Sequence, residues 1–186
     1  HAAASQFIQL LIADFALGIF GSAFDNRDEL RWDIGLNPNV PMTLSISGGV
    51  GRSTLDLSAL QLTGLSLNTG VGEVDLRLPA MDEAYAVSIN GGVGQANVTI
   101  AEGATLTLTV SSGVGETRID VPDGAAVRVD ARGGLGGINV PGSFVRTRGE
   151  DRPGQNEGTW ESPGYASADR RIEIVYNGGV GGLTVH

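Results

Sequence analysis

The groups in this chain that could do chemistry are carboxylates and glycine-rich phrases. Asp75, Asp120 and Asp130 lie in alternating stretches at positions that read as outward-facing. Paired acids of this kind could protonate a glycosidic oxygen and activate a water, or attack the sugar directly, as in polysaccharide-acting β-helix enzymes. Six glycine-rich phrases suggest two other uses. A phosphate cradle needs Gly-Lys-Ser/Thr or a strand-to-helix dinucleotide fingerprint, and none of the six provides either. A calcium-binding β-roll needs a short period and an Asp just after the last glycine, but Arg52, Glu73, Gln95 and Glu116 stand there. The two histidines, His1 and His186, are terminal, and there is no cysteine. Neither a His-based triad nor a thiolate metal site is expected. The carboxylates read as solvated face charges, so no catalytic residue, metal or cofactor is assigned.

The elements that would position any such group come from spacing. Gly-Val-Gly, or a near copy, is centred on Val50, Val71, Val93, Val114, Leu135 and Val180, at intervals of 21, 22, 21, 21 and 45 residues. A fixed period in the twenties marks a repeat architecture. Six residues before each centre stand Leu44, Leu65, Val87, Leu108, Val129 and Ile174; four before stand Ile46, Leu67, Ile89, Val110, Ala131 and Tyr176. Five after stand Leu55, Leu76, Val98, Ile119, Val140 and Val185. Seven after stand Leu57, Leu78, Ile100 and Val121. Apolar residues every second position on both sides of the phrase are the strand signature.

The expected fold is therefore all-β: a parallel β-solenoid with coils of about 21 residues. Each coil is strand, corner, strand and return turn. The corners are Gly49-Val50-Gly51, Gly70-Val71-Gly72, Gly92-Val93-Gly94, Gly113-Val114-Gly115, Gly134-Leu135-Gly136 and Gly179-Val180-Gly181. Glycine supplies the unusual backbone or the close approach a corner needs, and each central aliphatic is expected to turn inward and plug the core. One coil buries too few aliphatics to offset the entropy of ordering it, so coils must stack and share ladder hydrogen bonds. Asp56 should then neighbour Arg77, and Arg128 should neighbour Glu173. Ser45, Ser66, Ser88 and Thr109 should form an outward hydroxyl column. That column breaks at Asp130 and Val175, which weakens an ice-binding reading.

The chain divides into an apolar N-terminal segment, residues 1–29, and a solenoid domain, residues 30–186, with a loop insertion at about 146–171. Phe7 to Phe24 is nearly uncharged, but Asp14, Gln9 and two glycines disfavour a membrane span. The segment reads as a cap on the first coil or as an assembly segment. The insertion is rich in Gly, Glu, Arg and Pro and holds Trp160 and Tyr165, which are expected to fold back on the solenoid. The last coil stops at His186 and, unless the insertion or another chain covers it, should present an open ladder edge, which favours association. Candidate interaction residues are Phe7, Ile8, Leu11, Ile12, Phe15, Ile19, Phe20, Trp160 and Tyr165.

Trp32-Asp33-Ile34-Gly35-Leu36-Asn37-Pro38-Asn39-Val40-Pro41, followed by Leu-rich strands and Gly-Val-Gly corners, resembles the toast-rack domain family. Tyr165, Arg170-Arg171-Ile172-Glu173-Ile174 and Gly178-Gly179-Val180-Gly181 are similar to its closing segment. The resemblance spans roughly Leu30 to Val185. It implies a β-solenoid at the bacterial envelope, related to the C-terminal domains of LiaF-like stress regulators, without catalytic residues to carry over. The chain departs from the family at its apolar start.

The net charge of −9 argues against nucleic acid or an acidic membrane as main partner. The expected function is a non-catalytic envelope or secreted module acting in protein–protein interaction, structural or regulatory, with a protein partner or itself. The alternative is a self-assembling extracellular filament subunit, stacked end to end through the N-terminal segment. Membrane proximity and a polysaccharide-acting enzyme are weaker readings.

Overall fold

A computed structural model describes residues 34–149 and 157–186, and the backbone of residues 6–12. The chain is all-β apart from one 3-10 turn at Tyr165–Ser167. Four long strands dominate: β2 (Met42–Asp56), β3 (Leu62–Leu78), β4 (Tyr85–Ile100) and β5 (Leu106–Asp120), preceded by β1 (Gln6–Ile12). Shorter strands follow: β6 (Val127–Leu135), β7 (Ile138–Asn139), β8 (Val145–Arg148), β9 (Glu157–Glu161), β10 (Ile172–Val180) and β11 (Leu183–Val185). Among the described residues these eleven strands make one open sheet in the order β1-β2-β3-β4-β5-β10-β6-β9-β8, with β11 between β5 and β7.

Each long strand has two limbs, one on either side of its glycine phrase. In β3 the buried residues before the phrase include Leu65 and Leu67, and those after it are Val74, Leu76 and Leu78. The alternation slips by one residue between the limbs, because the chain bends there. Both limbs keep their inner side chains in the same core, which is aliphatic but for Tyr85 and Tyr176 among the described residues.

Adjacent strands are parallel and in register. Leu44, Leu65, Val87 and Leu108 follow one another up the ladder, as do Ile46, Leu67, Ile89 and Val110. One irregularity lies between Met42 and Thr43, opposite Leu62 and Gly64; the extra residue opposite it is a β-bulge. Asp56 neighbours Arg77 at 3.6 Å, and Glu173 is in register with Arg128.

The order of the last strands departs from the sequence. β10 does not add to the outside of β6. It lies between β5 and β6, pairing with both over Ile172 to Val180. On the second limb β11 is likewise held between β5 and β7. Backbone bonds close the seam: Gly181 N–H to Leu135 O at 2.6 Å, Thr117 N–H to Gly182 O at 2.9 Å, and His186 N–H to Ile119 O at 3.0 Å. The expectation that the final coil exposes an open edge is therefore wrong. These last strands are interior, and the column expected to carry hydroxyls runs Ser45, Ser66, Ser88, Thr109, Val175, Asp130.

The edge left on β6 is covered by the segment read from sequence as a loop. β9 pairs antiparallel with β6, and β8 pairs antiparallel with β9. Ser162 anchors the hairpin: its hydroxyl accepts the Val127 N–H at 2.8 Å and donates to the Ala125 carbonyl at 3.0 Å. The outermost strand, β8, has four residues, two of them Arg, and an irregular register. Short, charged, bulged strands resist edge-to-edge addition.

Candidate interaction surfaces

The glycine phrases line up across the sheet where each long strand bends, and the local geometry explains both their composition and their surface. A Cβ on Gly70 would strike the Gly49 carbonyl oxygen of the rung before it. Gly72 has φ +150°, and its Cβ would overlap the Gly51 carbonyl. At this corner the side-chain direction of the flanking residues runs along the stack, into the neighbouring backbone, and only glycine leaves room.

The central residue does not point inward. Val50, Val71, Val93, Val114, Val180 and Leu135 are 45 to 72% exposed. The inward plug expected from sequence is thus corrected: with the backbone turned at both glycines, the centre faces solvent. The six stand in register as consecutive neighbours, in the spatial order Val50, Val71, Val93, Val114, Val180, Leu135. At a ladder spacing of ~4.8 Å they make a straight aliphatic ridge about 24 Å long. On each side runs a furrow of glycines.

Sequence reasoning missed this ridge, although a signal was present. Inward positions four and six before the centre continue to the centre itself; inward positions five and seven after it do not. Both alternations cannot hold, so the centre lies where the chain turns.

Charged and polar groups border the ridge. Two residues past the centres stand Arg52, Glu73, Gln95 and Glu116, then Gly182 and Gly137. Arg52 Nε donates to Glu73 Oε2 at 3.1 Å, and this bond and charge hold the guanidinium above its ordinary pKa. Arg118 pairs with Glu116. Asn90 donates to Asn68 at 3.0 Å on the other side.

The carboxylates weighed for catalysis are not brought together. Asp75 lies on the second limb of β3 and accepts a bond from Asn97 at 2.8 Å. Asp120 is exposed at the end of β5, two strands away. Asp130 lies on the first limb of β6, opposite Thr159. Asp56 is held below its usual range by the Ser58 hydroxyl and backbone N–H, with a smaller contribution from Arg77. Among the described residues no group of three His, Asp or Glu could hold a metal ion, and no helix is long and apolar enough to cross a membrane.

Of the residues expected to meet a partner, Tyr165 is buried. Its hydroxyl donates to Glu173 at 2.9 Å, and Arg171 and Arg128 lie 5.5 and 6.0 Å from its ring centre. Burial pushes its phenol pKa up, Glu173 adds to the shift and Arg128 opposes it. Trp160 is half-buried against the core with Arg146 4.8 Å over its ring. Both aromatics are engaged within the chain. Phe7, Ile8, Leu11 and Ile12 belong to β1, where Ile8 is in register with Leu44 and Ile12 with Gly48. Phe15, Ile19 and Phe20 lie outside the described residues.

Residues 17–101, just under half of the chain, match the family described as the N-terminal domain of toast_rack, DUF2154. Over this stretch the chain is similar to the toast-rack family. The toast-rack stretch ends one residue past β4, so it takes in the first three corners of the ridge; Val114, Val180 and Leu135 continue the same column beyond it. A crystal structure of a "putative cell adhesion protein" from Clostridium sporogenes ATCC 15579 is similar over 88% of this chain, with 23% identity and a TM-score of 0.54. This chain covers 65% of that protein's length, and the likeness is one of fold. No curated protein matches.

Proposed function

We propose that the chain is a non-catalytic module of the bacterial cell envelope or cell surface that works by protein–protein interaction. In this reading its bent strands wind as a β-solenoid of about 21 residues per coil, and the stack is a rigid support for a surface. The aliphatic ridge from Val50 to Leu135 carries the proposal. A monomer seldom leaves a contiguous apolar patch of more than a few hundred Å² uncovered unless it has a use. The toast-rack stretch and the fold shared with a protein described as adhesive support an envelope or surface setting. The scattered carboxylates favour binding over turnover.

The test is site-specific photo-crosslinking in the producing bacterium. A photoreactive residue at Val93 should capture a protein in the envelope or surface fraction, whereas one at Asp120 should not. Recovery of the chain in the cytosol, or no adduct at Val93, would overturn the proposal.

A further inference from the structure

We infer that the ridge is a self-association surface and that its partner is a second copy of this chain, packed ridge against ridge with the two stacks antiparallel. The inference rests on the reading of the ridge as an interaction surface and names the occupant.

Three features of the ridge select a second copy. The first is repeat. The knobs stand at the ladder spacing of ~4.8 Å, and the furrows beside them repeat at the same spacing. A second copy brings an aliphatic column of identical period, so the two columns can meet rung for rung along the whole length at once. The flanking glycines, from Gly49 to Gly134, carry no side chains that would hold the two columns apart.

The second feature is area. Six aliphatic side chains at about half exposure present on the order of 400–500 Å² per copy, the size of the largest apolar patch on a monomer, which is often functional. Two ridges bury about 800–1,000 Å² between them, and the bordering rows add to this toward the ~1,200 Å² lower end of specific interfaces.

The third is the bordering row, which sets the direction. Its first four rungs carry Arg52, Glu73, Gln95 and Glu116, and its last two carry Gly182 and Gly137. A two-fold axis perpendicular to the ridge lays this row on itself in reverse. Arg52 then meets Gly137, Glu73 meets Gly182, and Gln95 meets Glu116 twice. Bulky side chains fall on glycines, and the central amide and carboxylate form two symmetric hydrogen bonds. The arrangement is isologous and closes as a dimer. The short, charged strand β8 at one end of the stack is consistent with lateral association in place of end-to-end growth.

The test uses the full chain in sedimentation and light scattering across a concentration series. The expected result is a dimer that halves in mass on Val71→Ser/Val93→Ser/Val114→Ser substitution. Circular dichroism should hold, and so should the melting temperature at concentrations low enough to keep the parent monomeric, because these side chains are exposed in the monomer. The chain lacks cysteine, so single cysteines report direction. Oxidising a mixture of Val93→Cys and Val114→Cys should give more linked dimer than either alone, and Val50→Cys should link to Leu135→Cys but not to itself. Stronger self-linking of Val93→Cys would overturn the antiparallel arrangement. A monomer at millimolar concentration would overturn self-association; if the Val93 photo-crosslink still captured a different envelope protein, the broader function would stand.

Discussion

Tyr176 stands directly beside Ala131 in the ladder, so the largest side chain of the inner column lies against its smallest. On the other side of Tyr176 is Val110. The phenol also fills the space next to Gly178, where a Cβ would collide with the ring, and its hydroxyl lies beside Thr117. This fit gives a physical reason for β10 to lie between β5 and β6. Parallel ladders pair any rung with any other through the backbone; side-chain volume distinguishes them.

Tyr176→Ala should therefore cost about 3–5 kcal/mol in urea unfolding, the range for emptying a large aromatic site. The double variant Tyr176→Ala/Ala131→Leu should recover part of that loss by refilling the space. A double variant no more stable than the single one would show that the two residues do not share a cavity.

The corner should respond in the reverse of what hydrophobicity suggests. Gly72→Ala forces a side chain into the Gly51 carbonyl at a positive φ, and should cost about 3 kcal/mol or more, or prevent folding. Val71→Ala removes an exposed side chain and should lie within about 0.5 kcal/mol of the parent in the isolated monomer. Thermal melts at low protein concentration would separate the two. Equal losses would mean that Val71 is packed after all.

Ser162→Ala leaves the Val127 N–H without its side-chain acceptor in a buried site and should cost about 1–3 kcal/mol. Amide exchange localises the effect. Protection should fall at Val127 and along β9, and stay unchanged in β2 to β4. A uniform fall across the sheet would point to global destabilisation in place of a loosened hairpin.

Gly158→Val tests the edge. A Cβ at Gly158 would lie 2.8 Å from both Arg146 Nε and the Trp160 ring, and should prise β9 from β6. The bared edge of β6 is then a template for another chain. Light scattering at high concentration should rise with time for Gly158→Val and stay flat for the parent. A flat trace for both would show that the hairpin is not an edge guard.

Alkaline pH should unfold the chain through its tyrosines. Burial raises the phenols of Tyr85, Tyr165 and Tyr176 above the ordinary value of about 10. The unfolded chain then loses protons first, so stability is full below pH about 10 and falls as pH rises beyond it. Urea unfolding between pH 8 and 11 should show the decline, and Tyr85→Phe should make it shallower. An unchanged slope in that variant would remove Tyr85 from the account.

Much of this architecture was legible in the residues. The 21- and 22-residue spacings set the register of β2 to β5, because a parallel ladder aligns equivalent positions. The inward columns from Leu44 to Leu108 and from Ile46 to Val110 were readable from alternation, since burial of one face has period two. The hairpin was not legible. Residues 146–171 carry no repeat, and β9 is fixed by contacts such as Ser162 with Val127, 35 residues apart in the chain.

By itself, then, the sequence determined the all-β class, the period and the two inward columns, because these follow from local alternation and glycine placement. Tertiary structure decided that β10 enters between β5 and β6 and that the corner residues from Val50 to Leu135 face solvent. The strand order depends on which side-chain volumes fit together across distant segments, as at Tyr176 and Ala131. The outward ridge depends on neighbouring backbones meeting at the corner, where the glycines turn the chain and no inward space remains for its centre.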